Sequence, residues 1–208
     1  MKNIIVIGTG GLAREFSSYF CDNFKIIGFS STNLTEHSEF NLPGQLFEGE
    51  ITPDKVGTSE AVIAIGSPAV KKKISDKLKL LGFTFPHIIH PSSVVSDRTF
   101  IDEGVVISPN CVISPNVNLQ AFSYLNFCCG VGHDAVIEPY VQINPGVQLG
   151  GFSKIGEGSL IGSGSVILQG VKIGNNATIA SGSVIFTNVA EGSTMMGNPA
   201  KRMRAFEK

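Results

Sequence analysis

The chain has 208 residues, which is enough for one or two small domains with hydrophobic cores of their own. Its 16 basic and 17 acidic residues give a formal net charge of −1, which argues against nucleic acid or an anionic membrane as a partner. The apolar runs are strand-length, so we expect neither membrane insertion nor a signal peptide. Four cysteines without a CxxC pair or a disulfide framework predict a reducing, cytoplasmic setting.

Residues 1–86 are predicted to form a small α/β domain, in which strands alternate with helices. In chain order we expect a strand, a glycine turn opening a helix to about Phe20, two further strands separated by an irregular polar stretch at 30–50, a second helix and a last strand. The predicted strands are Lys2–Gly8, Phe24–Phe29, Glu60–Ile65 and Phe83–Ile89, and the second helix is Ala69–Leu81. This alternation predicts a small parallel sheet with flanking helices.

A six-residue repeat fills the rest of the chain. Ile, Leu or Val occupies every sixth position from Ile89 to Ile185, and the position four residues after each of them holds a small residue. Each hexad would supply one short strand and one corner, and three hexads would complete a coil of about 18 residues. The pattern predicts a left-handed parallel β-helix, and we assign it to 87–208 together with a C-terminal tail.

Several motifs occur in a characteristic order around these hexads. A glycine turn at 8–11 is followed by His90-Pro91-Ser92, then by Gly132-His133-Asp134 inside the repeat, and finally by Gly-Asn-Pro-Ala-Lys at 197–201. The whole chain thereby resembles the sialic acid O-acetyltransferase and nucleotide-aminosugar N-acetyltransferase family, which includes enzymes that make N-acetylated bacillosamine, perosamine and viosamine donors. The resemblance implies an acetyl-CoA-dependent acyltransferase that forms a homotrimer with intersubunit active sites.

His133 and Asp134 are the candidate catalytic residues. An attacking amine or hydroxyl must lose a proton, a neutral imidazole can accept it, and an adjacent carboxylate can fix the tautomer of the imidazole. The family's catalytic His and its acidic helper fall on these two positions. The resemblance also implies that the backbone N–H of Gly151 stabilises the developing oxyanion and that Asn126 lies near the acceptor.

The remaining coenzyme contacts are expected along later coils, in a groove between two subunits. By resemblance, backbone groups near Gly162 and Ala180 would hold the pantetheine arm, and Lys201 would meet a phosphate. Gln142 stands where some relatives have a histidine near the coenzyme, so it is a further candidate. No metal is expected, because the repeat contains only His133 beyond the entry residue His90, and a zinc carbonic anhydrase site needs three histidines.

The glycine turn invites comparison with dinucleotide-binding domains. Its spacing is not G-x-G-x-x-G, and Ser and Thr stand where an acidic residue is expected after the second strand, so NAD is rejected. A strand-to-helix glycine turn can still bind phosphate through its N–H groups. By resemblance this domain holds the nucleotide of a sugar donor, and the candidate contacts are Gly8, Gly10, Gly11, Ser31, Gly66 and Ser67.

Two acceptors and one non-catalytic role stay open at this point. The favoured acceptor is the 4-amino group of a UDP-, dTDP- or GDP-linked 4-amino-4,6-dideoxyhexose, whose product would feed surface polysaccharide, lipopolysaccharide or glycoprotein glycan assembly. The alternative acceptor is a hydroxyl of sialic acid. A non-catalytic nucleotide-sugar-binding protein is the third interpretation, against which the intact His133-Asp134 pair argues.

Overall fold

The computed structural model describes residues 1–203 and divides into two compact units, Met1–Pro86 and the residues from His87 onward. Residues 204–208, the end of the predicted C-terminal tail, lie outside the described residues. The first unit is a parallel sheet with helices, and the second is a left-handed parallel β-helix. Both predicted fold classes are therefore confirmed.

The first unit contains four parallel strands in the order β3-β2-β1-β4. Strand β1 is central and fully buried from Ile4 onward, because both faces of a parallel sheet are covered. Phe16 and Phe20 stack at 4.7 Å on one side of this core. The elements of the unit are β1 (Lys2–Ile7), α1 (Gly11–Tyr19), β2 (Phe24–Ser30), α2 (Glu36–Glu39), β3 (Gln45–Phe47), α3 (Pro53–Val56), β4 (Ala61–Ile63) and α4 (Pro68–Leu80).

Two secondary-structure predictions for this unit are wrong. The stretch 30–50 is not irregular throughout, since it contains α2 and the edge strand β3. The strand predicted at Phe83–Ile89 is reduced to a single bridge between Thr84 and Glu60, and its last two residues form the first strand of the β-helix. Both errors concern short elements whose pairing partners are distant in sequence, so local pattern carries little information about them.

The second unit is built from two-residue strands that recur every six residues, and each pairs in parallel with the strand 18 residues later. They form three sheets that run along the coil. The strands are β5 (Ile88–Ile89), β6 (Val94–Val95), β7 (Phe100–Ile101), β8 (Val106–Ile107), β9 (Val112–Ile113), β10 (Asn118–Leu119), β11 (Tyr124–Leu125), β12 (Gly130–Val131), β13 (Val136–Ile137), β14 (Gln142–Ile143), β15 (Gln148–Leu149), β16 (Lys154–Ile155), β17 (Leu160–Ile161), β18 (Val166–Ile167), β19 (Lys172–Ile173), β20 (Thr178–Ile179) and β21 (Val184–Ile185).

The second residue of each of these strands points into the coil and forms a continuous core from Ile107 to Ile185. From Val105 onward the small residue four positions later is also buried, and at some of the serines its hydroxyl bonds to a corner carbonyl. Ser159 Oγ donates to the Gly174 carbonyl at 2.9 Å, and Ser165 Oγ to that of Ala180 at 3.0 Å. These bonds satisfy polar groups that burial would otherwise leave without partners.

From Gly104 to Gly182, each corner of the coil contains a residue with left-handed backbone, three positions after the inward-pointing aliphatic residue. Gly fills many of these positions, and Asn or Asp fills others, as these residues tolerate positive φ best. Four bulky residues also adopt it, namely Phe122, Cys128, Tyr140 and Phe152. Phe122 and Tyr140, one coil apart, stack with parallel rings at 5.4 Å.

The β-helix ends in an antiparallel hairpin of β22 (Thr194–Gly197) and β23 (Ala200–Arg202), which extends the longest of the three sheets. The Gly-Asn-Pro-Ala-Lys motif forms the turn of this hairpin, and its Asn198–Pro199 peptide bond is cis.

Candidate active site

His133 projects from the corner that follows β12. It lies two residues after the buried Val131, so its backbone has already left the strand, and its side chain is 54% exposed. Gly132 before it packs against the backbone of Gly150 and Gly151 on the next coil, where a Cβ atom would collide. Glycine at position 132 therefore allows the backbones of adjacent coils to pack closely next to His133.

A hydrogen-bonded chain of three side chains orients this histidine. His133 Nδ1 lies 2.8 Å from Asp134 Oδ2, and Asn116 Nδ2 donates to Asp134 Oδ1 at 3.1 Å. The His133 hydrogen bond, followed by the Asn116 hydrogen bond, lowers the pKa of the Asp134 carboxyl below its usual value. An ionised carboxylate can only accept, so Nδ1 carries the proton and the lone pair of Nε2 is left for chemistry.

Gly151 lies exactly one coil after His133 in sequence and directly beside its ring. A Cβ atom at position 151 would stand 2.8 Å from His133 Nε2, closer than side chains pack, so glycine makes room for the imidazole. Its carbonyl accepts from the Gly170 N–H at 2.9 Å, while its own N–H has no protein acceptor within residues 1–203. Gly151 therefore combines a close approach to the imidazole with a backbone N–H that has no acceptor in this part of the chain.

Two contributors to this corner escaped the sequence prediction. Asn116 lies one coil before Asp134, and Phe152 one coil after it, all three with left-handed backbone. The Phe152 ring meets the His133 ring edge-on at 5.1 Å and is 55% exposed, so it forms an apolar wall beside the imidazole. The signal was in the sequence, because residues 18 apart stack in a β-helix and positions 116 and 152 flank 134 by that number.

The other predicted β-helix residues lie on a different corner. Three of them directly follow the inward residue of a strand in one sheet: Asn126 after β11, Gly162 after β17 and Ala180 after β20. The backbone N–H of each donates to a carbonyl on the next coil. Gln142, at the start of β14 in that sheet, is almost fully buried, as is Asn126. Within the described chain, this row of residues does not share a corner with His133. Lys201 is exposed on β23, opposite Met196.

The first unit contains a cavity of about 960 Å³ at the carboxyl ends of its strands. Gly8 and Ser31 line it, and so do the exposed lysines Lys73 and Lys77 of α4. Gly8 has φ of 111° and packs against the Ala64 carbonyl, so only glycine suits this turn. A more open cleft of about 500 Å³ between Met1, Cys21 and Pro43 contains none of the predicted site residues.

The other predicted nucleotide contacts lie outside the lining of this cavity. Gly10 and Gly11, at the start of α1, have open space where a side chain would stand, so this helix end is accessible. Gly66 and Ser67 adjoin the cavity in sequence but are not among its lining residues. Sequence reasoning missed Glu36, whose carboxylate accepts from the buried Thr9 hydroxyl, which also lies 3.0 Å from Ser31 Oγ.

Residues 1–203 contain no group of three or more histidine, cysteine or acidic side chains arranged to hold a metal ion. None of the helices within these residues is both long and apolar enough to cross a bilayer.

Comparison with known proteins agrees with this geometry. The bacterial transferase hexapeptide model matches residues 152–187, and the PglD N-terminal domain model matches residues 3–78. The GDP-perosamine N-acetyltransferase of Escherichia coli O157:H7 is 38% identical over an alignment of 147 residues that covers 68% of this chain. The match takes in 66% of that enzyme's own length.

Solved structures extend the likeness to nearly the whole chain. The acetyltransferase domain of PglB from Neisseria gonorrhoeae FA1090 superposes with a TM-score of 0.84 at 26% identity, covering 98% of this chain and 100% of that domain. The same domain is known in complex with acetyl coenzyme A. A GDP-perosamine N-acetyltransferase from Caulobacter crescentus, in complex with CoA and GDP-perosamine, shares the fold with a TM-score of 0.73 at 21% identity, covering 98% of this chain and 97% of that one.

A β-helix of hexads with a histidine and a carboxylate at one corner defines a hexapeptide-repeat acetyltransferase. The chain belongs to this family, and within it to the sugar N-acetyltransferase group that carries a PglD-type N-terminal domain.

Proposed function

We propose that the protein transfers the acetyl group of acetyl-CoA to the 4-amino group of a nucleotide-linked 4-amino-4,6-dideoxyhexose. One observation carries the proposal. His133 is held through Nδ1 by Asp134, so its Nε2 is free, and the ring stands beside Gly151, whose N–H has no partner within residues 1–203. A proton acceptor and an oxyanion donor side by side are the two groups that acyl transfer to an amine requires.

In the proposed reaction the amine enters in its neutral form and attacks the carbonyl carbon of the thioester. His133 Nε2 takes one proton from the attacking nitrogen, while the Gly151 N–H donates to the carbonyl oxygen as negative charge develops there. The tetrahedral intermediate then collapses, the C–S bond breaks, and the departing sulfur receives the proton from the imidazolium. Asp134 stabilises the imidazolium throughout and keeps the same tautomer in place.

The cavity of the first unit is proposed to hold the nucleotide. Gly8 and Ser31 line it, and Lys73 would supply positive charge for a diphosphate. Lys77 also lines it, and its Nζ lies 3.8 Å from Glu50 Oε2. The accessible start of α1 at Gly10, together with the loop at Gly66 and Ser67, would add backbone or hydroxyl donors. The named relatives that act on or bind GDP-perosamine favour an amino sugar over sialic acid as the acceptor.

We propose further that the enzyme is a homotrimer whose active sites lie between subunits. The expected coenzyme contacts Gly162 and Ala180 lie on another corner from His133, so one chain does not bring them together. A neighbouring subunit would supply the second wall, with Gln142 and Asn126 in the same row and Lys201 near the coenzyme phosphates. The outward side chains Val94 and Val112, adjacent in one sheet and each more than half exposed, support such packing.

The trimer can be tested by mixing two inactive variants. His133→Ala loses the base, and Ala180→Trp blocks the coenzyme row. If sites form between subunits, co-refolded mixtures regain activity, because some sites combine an intact histidine from one chain with an intact row from the other. A mixture that stays as inactive as its parents would contradict intersubunit sites, and the sedimentation of each variant alone controls for assembly.

The reaction is proposed to take place in the cytoplasm, where acetyl-CoA and nucleotide sugars are made, and to serve surface glycan assembly. Cys111 and Cys129 are buried free thiols, which suits a reducing compartment.

The function is tested by measuring thiol release from acetyl-CoA with UDP-, dTDP- and GDP-linked 4-amino sugars, beside free and CMP-linked sialic acid. We expect turnover with one of the amino sugars. Turnover with sialic acid alone would overturn the acceptor, and binding of a nucleotide sugar without any turnover would support the non-catalytic alternative.

A further inference from the structure

Asp134 accepts hydrogen bonds on both carboxylate oxygens, and only one of them comes from the histidine. Oδ2 meets His133 Nδ1 at 2.8 Å, and Oδ1 accepts from Asn116 Nδ2 at 3.1 Å. Rotation about the χ2 torsion of Asp134 moves both carboxylate oxygens, so it would break two hydrogen bonds here instead of one. The bond from Asn116 therefore fixes the plane in which Asp134 meets the imidazole.

The β-helix makes this contact possible through its register. Asn116 stands 18 residues before Asp134, at the same position of the same corner, and both have left-handed backbone with φ near 60°. The Asp134 N–H donates to the Pro115 carbonyl at 3.1 Å, which ties the two corners together. Identical backbone geometry one coil apart makes the Asn116 and Asp134 side chains leave the corner side by side.

We propose that Asn116 is a positioning residue for the acetyl transfer, acting through Asp134 on the tautomer and orientation of His133. The inference rests on the proposed role of His133 as the base. Asn116 is a neutral amide, so it orients the carboxylate without competing for the proton. It also contributes to the lowered pKa of Asp134, which keeps that group ionised whenever the base is working.

The test is a double-mutant cycle with a matched control. Asn116→Gly removes the amide but keeps the left-handed backbone free of strain. Asn176→Gly makes the same change at another left-handed corner, where the Asn176 side chain makes no hydrogen bond to residues 1–203 and plays no part in the site. We expect Asn116→Gly to lower kcat about tenfold, as for one hydrogen bond to a charged group, with KM for acetyl-CoA within about twofold. Asn176→Gly should leave both unchanged.

The cycle separates positioning from a purely structural role. In an Asp134→Asn background, Asn116→Gly should cost less than about twofold, because the group through which it acts has lost its charge. An equal loss in both backgrounds, or a kcat of Asn116→Gly within twofold of the unmodified enzyme, would overturn the proposal.

A second measurement needs no acceptor, so it keeps this proposal distinct from the proposed function. Nitrogen-15 NMR of the substrate-free protein reports the tautomer of each of its four histidines, and His133→Ala assigns the signal of interest. We expect the Nδ1–H tautomer at His133 and a loss of that preference in Asn116→Gly but not in Asn176→Gly. An unchanged tautomer in Asn116→Gly would contradict the positioning role even if no acceptor were found.

Discussion

The two units assemble their candidate sites in different ways. In the β-helix, Asp134 contacts Asn116 and His133 contacts Gly151 because the members of each pair are 18 residues, or one coil, apart. Their contact therefore follows from their spacing in the sequence. In the first unit, Gly8, Ser31 and Lys73 share a cavity because two strands and a helix from separate parts of the chain pack around it. A repeat therefore converts sequence spacing into spatial contact, whereas an α/β unit does so only through its tertiary fold.

The first test compares the loss of a buried side chain from the β-helix with the loss of an exposed apolar side chain from the first unit. Ile161→Ala removes a fully buried side chain from the interior column, and we expect the free energy of unfolding to fall by about 2–5 kcal/mol. Leu34→Ala, in the stretch after β2 where the residue is 45% exposed, should change it by less than about 0.5 kcal/mol.

Denaturant unfolding of both variants measures this contrast. If both variants lose the same free energy of unfolding, the hexad pattern does not identify core positions as the account requires.

Gly151→Ala tests whether the one-coil spacing sets the catalytic geometry. The added methyl group would stand 2.8 Å from His133 Nε2, so the imidazole must move. We expect kcat to fall by about 10- to 100-fold while thermal stability stays nearly constant, because the displaced ring is a half-exposed side chain rather than core. A kcat within twofold of the unmodified enzyme would mean that the contact seen here plays no part in the reaction.

Lys71 allows a test confined to the first unit. It is buried in α4, and burial lowers its pKa to about 7. The unfolded lysine, with a pKa near 10.4, binds more protons between these values, so Lys71 should contribute a rise in stability from about pH 7 to about pH 10, by roughly 1 kcal/mol per pH unit. In Lys71→Met the pH slope should be smaller by this amount, while the opposite contribution of the buried Cys129 thiol, whose pKa is raised by its hydrogen bond with Cys111 and by burial, stays in both proteins. The measurement is urea unfolding of both proteins at pH 7, 8 and 9, and parallel slopes would contradict a buried, deprotonated lysine.

Asp134→Asn should have the smallest effect on stability, and its sign is set by the lowered pKa of Asp134. A carboxyl whose pKa is depressed on folding contributes stability above its unfolded pKa and loses it as pH falls through the folded one. Asparagine tolerates the left-handed backbone at this position, so the variant should be slightly less stable than the unmodified protein at pH 6, and by a smaller margin at pH 3. Thermal melts at the two pH values measure this, and a difference that grows on acidification would contradict the hydrogen-bonding account.

Prediction from sequence succeeded in the β-helix, where the six-residue repeat determines the position of each residue in the coil. The hexads gave the strands of the β-helix and its inward residues, since a shift of one residue would turn the aliphatic side chains outward. The same count would have found Asn116 and Phe152, but neither residue type signals catalysis by itself. Bulky aromatic residues with left-handed backbone, such as Phe152, could not be foreseen, because propensity favours Gly or Asn there.

Prediction failed where contacts depend on distant partners. The edge strand β3 forms only because it can pair with β2, and Gln45–Phe47 carries no strand signal strong enough to stand alone. Glu36 reaches Thr9 across the end of β2, which no local pattern indicates. The burial of Lys71 within a run of three lysines likewise follows from how α4 packs rather than from its composition.

The central claim is that His133 is the base for acetyl transfer. With the acceptor that the enzyme uses best, thiol release should be compared between the unmodified protein and His133→Ala at pH 8, with acetyl-CoA binding measured by calorimetry in both. The account predicts a loss of kcat of about a thousandfold with unchanged acetyl-CoA affinity, because general-base catalysis supplies factors of this size. A kcat within about threefold of the unmodified enzyme, at equal affinity, would contradict it.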